Sequence, residues 1–180
     1  WNLIAEGLKK RPAVLSPFVT RPNEKIADRA AMNLAPASDS ITGMYLLRKA
    51  KAGKTDIDIV LQESGVAIEF ITNVLPQLDK EGINANIYYV SSAELFDLLP
   101  PEKQEKIFPA NVGTNALGIT GFTLPTMHRW ITGAEARKHI IHPFKGGHFL
   151  GSGNAESVLH QAGLDAPALL KAVKEFIAKK

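Results

Sequence analysis

Cysteine is absent from this chain of 180 residues. That excludes a disulfide framework, a thiolate nucleophile and the cysteine-rich ligand sets of structural zinc. No apolar run approaches the ~20 residues needed to span a bilayer, and no secretory leader is visible. These absences favour a reducing compartment, and the expected location is cytoplasmic. Neither charge sign dominates, since 21 basic and 18 acidic residues leave a net charge of +3. The basic residues are scattered, with no Lys/Arg stripe interleaved with aromatics, so neither nucleic acid nor membrane is an expected partner. Internal repeats and low-complexity tracts are also lacking.

What is present is ordinary globular composition, 45% hydrophobic and 22% charged, with enough length for one sizeable core. The chain starts at Trp1 rather than Met and is expected to be a piece of a longer polypeptide. Residues 2–9 read as a short amphipathic helix. Residues 13–19 read as a strand, which Pro17 confines to a sheet edge. Residues 21–40 are polar and irregular, so residues 1–40 form a tail and linker and the compact domain covers residues 41–180.

Within that domain, strands are expected at 43–48, 57–61, 85–90 and 115–120, with a short fifth at 148–150. The run Ile57-Asp58-Ile59-Val60-Leu61 is nearly all apolar, as a strand buried on both faces requires. Ala67, Phe70, Ile71, Val74, Leu75 and Leu78 share one helical face, and Pro76 should kink or break that helix. Ser91 is the expected N-cap of the next helix, with Glu94 completing a capping box. Further helices are expected at 102–107, about 126–132, 154–162 and 166–178, the last capped by Asp165. Strands alternating with helices argue for an α/β layer fold with a mostly parallel sheet.

Two stretches carry a resemblance. Val90-Ser91-Ser92-Ala93-Glu94-Leu95-Phe96 follows a strand. Gly146-Gly147-His148-Phe149-Leu150-Gly151-Ser152-Gly153 leads into Asn154-Ala155-Glu156, with Val158, Leu159, Gly163 and Leu164 following in register. In this order the stretches resemble the C-terminal domain of transketolase. Residues 1–19 are similar to the end of that family's preceding pyrimidine-binding domain. The resemblance implies a three-layer α/β/α domain with a mixed five-stranded sheet of order 1-3-2-4-5, strand 1 antiparallel. It also implies a parent enzyme that moves a two-carbon ketol unit between sugar phosphates, using thiamine diphosphate and a divalent metal held by its other domains. The chain itself would then be a non-catalytic, inactive part serving assembly and closure of the substrate side. Its partners would be the remaining transketolase domains or subunit in a homodimer of the pentose phosphate pathway.

The sequence departs from the family pattern in two places. Gln62-Glu63-Ser64-Gly65 stands where the family has Thr-Gly-Ser-Glu, so the tight glycine turn is altered. Leu15-Ser16-Pro17 lacks the family's sugar-phosphate arginine, and Arg21 is the nearby residue placed to substitute. The loss also suits the C-terminal domain of a 2-oxo-acid dehydrogenase E1 component, which is the second reading. A third is a stand-alone anion-binding module using the sheet's carboxyl edge and the turn Gly151, Ser152 and Gly153 as an effector site.

No catalytic, cofactor-binding or metal-binding residue is assigned. His128, His139, His142 and His148 cluster in sequence, but no acidic residue lies between Glu135 and Glu156, which starves a zinc site of anionic ligands. Glu63 follows the carboxyl end of a parallel strand, where α/β sites form. A first-turn carboxylate is equally explained by the helix dipole.

Overall fold

The computed structural model describes residues 1–12, 14–17, 25–51, 53–147 and 150–179. Helix α1 (Asn2–Lys9) comes first, and a 3-10 turn (Ala37–Thr42) leads into β1 (Met44–Arg48). Between them, Ala35 N–H donates to the Leu47 carbonyl at 2.7 Å, and Arg29 donates to the Ala35 carbonyl at 2.7 Å. This segment satisfies part of the outer edge of β1, which would otherwise be an open pairing surface.

β2 (Ile57–Gln62) is the buried centre of the sheet, as its apolar run requires. A continuous helix follows, made of α2 (Ser64–Glu69), a π turn (Phe70–Val74) and α3 (Leu75–Lys80). Its predicted apolar face is fully buried from Ala67 to Leu78, and each large side chain enclosed this way contributes about 2 kcal/mol. Pro76 does not end the helix. Leu75 N–H reaches the Phe70 carbonyl, five residues back, and the widened turn makes room for a ring that would clash with the carbonyl four residues earlier.

β3 (Ala85–Val90) pairs parallel with β2 and antiparallel with β1. The next helix, α4 (Ala93–Asp97), is capped by Ser92, whose Oγ accepts from Leu95 N–H at 3.3 Å. This corrects the expectation for Ser91, whose Oγ donates instead to the Ser40 carbonyl at 2.8 Å. α5 (Pro101–Ile107) and α6 (Ala110–Asn115) complete the crossover to β4 (Leu117–Thr120), which lies parallel on the other side of β2. The first crossover runs from β2 to β3 and the second from β3 back past β2 to β4, so they travel in opposite directions across the sheet, and the right-handed rule places their helices on opposite faces.

Among the described residues the sheet has four strands in the order β1-β3-β2-β4. This corrects the expected five-stranded order 1-3-2-4-5. Two of the three residues expected to form strand 5, His148 and Phe149, lie outside the described residues, and Leu150 carries no strand. The outer edge of β4 is met earlier in the chain. After α7 (Leu124–His128) and α8 (Ala134–Arg137), Ile141 N–H donates to the Gly118 carbonyl, and Thr120 N–H donates to the Ile141 carbonyl. One parallel bridge between Ile119 and Ile141 results.

Of the edge strand expected at 13–19, residues Ala13, Phe18 and Val19 lie outside the description. Val14 to Pro17 carries no strand. Leu15 packs against Gly7 of α1. The closing helices α9 (Ala155–Ala162) and α10 (Ala166–Ala178) match expectation, and Asp165 caps α10 through the Ala168 N–H.

The segment after the bridge carries a pH dependence. Burial, then the nearby Lys145 and His128, hold the His142 pKa below its ordinary value, and Phe144 N–H donates to His142 Nδ1 at 3.3 Å. Folded chain therefore binds this proton less readily than unfolded chain. The stability concerned is present above the ordinary histidine pKa of about 6.5 and is lost as the pH falls through it. Urea midpoints should drop between about pH 7.5 and about pH 5.5, and His142→Gln should reduce that drop.

Candidate functional site at the carboxyl ends of β2 and β4

The chain leaves β2 toward β3 on one side, and β4 arrives on the other. The carboxyl ends of β2 and β4 therefore form the topological switch point of the sheet, where open α/β folds have a crevice. Gln62 and Glu63 come from the end of β2. Thr120 and Gly121 come from the end of β4, and Thr126 from α7.

Gln62 is only 8% exposed. Its amide oxygen lies 3.2 Å from Thr120 Oγ1 and 3.0 Å from Thr126 Oγ1. Thr120 Oγ1 also accepts from Phe122 N–H at 3.0 Å.

Glu63 has φ +83° and ψ 139°, a conformation natural to glycine and strained for any other residue. The reward is local. Its carboxylate accepts from Gly65 N–H at 2.6 Å and Val66 N–H at 2.9 Å, capping α2. A Cβ at Gly121 would lie 2.5 Å from Glu63 Oε2, so glycine there lets the carboxylate in. Glu63→Gly should be as stable as wild type or more so, because relief of roughly 1–3 kcal/mol of strain offsets the lost side-chain cap. Glu63→Ala keeps the strain and loses the cap, and should cost about 1 kcal/mol in urea unfolding.

This geometry decides what the crevice suits. The helix N-terminus that would attract a phosphate already holds a carboxylate of its own. Among the described residues no three His, Asp or Glu side chains gather to hold a metal. These residues do not fit a diphosphate–metal group.

The other sequence candidates lie apart from the crevice in sequence. Arg21 falls outside the described residues. Gly151, Ser152 and Gly153 form an exposed coil before α9. The cap of α9 is Asn154, whose Oδ1 accepts from Ser157 N–H at 2.8 Å. Neither Gly151 nor Gly153 has positive φ, whereas Gly147 does.

No protein-family model matches the chain, and no curated protein matches it. Solved structures do. This chain shares its fold with part of transketolase. Transketolase from Leishmania mexicana superposes with a TM-score of 0.58 at 15% identity, over 80% of this chain and 19% of that one. Transketolase from Campylobacter jejuni subsp. jejuni gives 0.56 at 18% identity, over 76% of this chain and 19% of that one. A mutant transketolase from Pichia stipitis gives 0.52 at 18% identity, over 78% and 18%. The chain thus spans about a fifth of the length of the transketolases it matches. At such identities the likeness to transketolase is one of fold.

Proposed function

We propose that this chain is the C-terminal, non-catalytic lobe of a transketolase. In that reading residues 1–40 are a tail and linker from a preceding domain, and residues 41–180 are the lobe. The parent is a cytoplasmic homodimer transferring a two-carbon ketol unit between sugar phosphates, with thiamine diphosphate and a divalent metal bound by its other domains. The lobe supports dimer assembly and closes the substrate side.

The observation that carries this reading is the pattern of coverage. At least three quarters of this chain superposes on transketolases, yet only about a fifth of each transketolase is matched. The antiparallel β1 beside a parallel β3-β2-β4 set agrees with the order the resemblance implies for the first four strands. The self-capped α2 speaks against an anion site at that helix.

The test is a ketol-transfer assay and a thiamine diphosphate titration by calorimetry on the purified chain, alone and joined to the domains encoded beside it. Activity and cofactor binding are expected only in the joined form. Ketol transfer by the 180 residues alone would overturn the reading. Activity of the joined form on 2-oxo acids would favour an E1 component instead.

A further inference from the structure

On the surface beside α4, α5 and α7 lies an open groove of about 470 Å³. Its floor is aromatic. Phe96 meets Trp130 edge-on at 5.3 Å, and Phe108 meets Trp130 edge-on at 6.1 Å. Asp97 and Glu105 stand on its walls with one cation, Arg129. The Arg129 guanidinium lies 4.5 Å from the centre of the Trp130 ring and pairs with Asp97. It makes the two contacts an incoming guanidinium would make, a ring face and a carboxylate.

We infer that this groove is a binding site for a guanidinium-bearing ligand of the arginine class, in which Arg129 is the chain's own displaceable occupant. Displacing Arg129 frees Asp97 and uncovers the ring. The ligand's guanidinium then takes both contacts, and Glu105 adds a second carboxylate. The site is independent of the proposed transketolase role and of the switch-point crevice.

The chain has two tryptophans, so Trp1→Phe leaves Trp130 as the single fluorophore. N-acetyl-argininamide, agmatine and N-acetyl-lysinamide are titrated against Trp1→Phe and Trp1→Phe/Arg129→Gln while Trp130 emission is read. A saturable change with the arginine probe is expected. Removing Arg129 should tighten it about fivefold, the equivalent of one surface cation–π contact given up by the competitor. Adding Asp97→Asn to the Arg129→Gln chain should weaken it about threefold. The lysine probe should bind less tightly than the arginine probe, since an ammonium does not stack. Agmatine binding as well as the acetylated amide identifies a free guanidinium amine as the occupant. Binding of the amide alone identifies an arginine within a peptide. No saturable change in the Arg129→Gln chain, or an affinity no tighter than with Arg129 present, overturns the proposal.

Discussion

Gly43→Ala should lower stability by about 3 kcal/mol or more, a large part of the roughly 5–15 kcal/mol a domain of this size possesses. Gly43 sits at φ +78° between the 3-10 turn and β1. Its carbonyl accepts from both Ser91 and Ser92 N–H, at 2.8 and 2.9 Å. A Cβ there would lie 2.2 Å from the Ser92 carbonyl oxygen and 2.4 Å from the Phe96 nitrogen. Both are backbone atoms, so no rotamer change relieves the overlap. Gly82 is the control, because it has φ +75° and nothing within 4 Å of its Cβ position. Gly82→Ala should cost only the left-handed term, about 1–2 kcal/mol. Equal urea midpoints for the two variants would refute the close-approach explanation.

Asp79→Ala should cost about 3 kcal/mol, and Arg48→Met markedly less. Arg48 ends β1 and is 7% exposed. Its Nη2 reaches both Asp79 oxygens, at 2.7 and 2.8 Å, from α3 across the layer boundary. Removing the carboxylate strands a guanidinium in a buried place, with Lys51, now 3.6 Å from Asp79, beside it. Replacing the arginine with methionine fills similar volume with apolar atoms and leaves Asp79 partly in water, still facing Lys51. Chemical denaturation of the two variants measures the asymmetry. Matching losses would show that the pair acts as an ordinary surface bridge.

Much of the layer order is legible along the chain. The Ile57–Leu61 run announces a strand covered on both faces, and the Ala67–Leu78 spacing announces the helix packed on it. Asp165 marks the start of α10. These signals are local, set by side chains within one or two turns of each other. The departures arise where a distant contact competes. The sequence points to Ser91, with Glu94 three residues on, but Ser92 caps the helix while the Ser91 hydroxyl goes to Ser40, 51 residues earlier. Pro76 predicts a break that the π turn absorbs, since the helix gains more from its buried face than it loses in one turn. The outer edge of β4 is met by Ile141, and Leu150 carries no strand.

The crevice was half visible. The altered turn at Gln62-Glu63 is a sequence signal, and a glycine immediately after a buried strand, Gly121, is another. The positive φ of Glu63 gives no such signal, because a glutamate does not announce a glycine's conformation. Thr120 and Thr126 join Gln62 across 58 and 64 residues, and no spacing rule links positions so far apart.

By itself the amino-acid order determines the class of this molecule: alternating apolar strands and amphipathic helices, no cysteine chemistry, and no helix among the described residues long and apolar enough to cross a membrane. Tertiary structure alone decides that the sheet has four strands among the described residues, that Glu63 occupies the helix terminus an anion would want, and that Arg129 lies on Trp130 over an open groove. The reason is physical. Periodicity and capping are encoded within a few residues, whereas edges, crevices and grooves exist only once segments dozens of residues apart compete for the same hydrogen bonds and the same space.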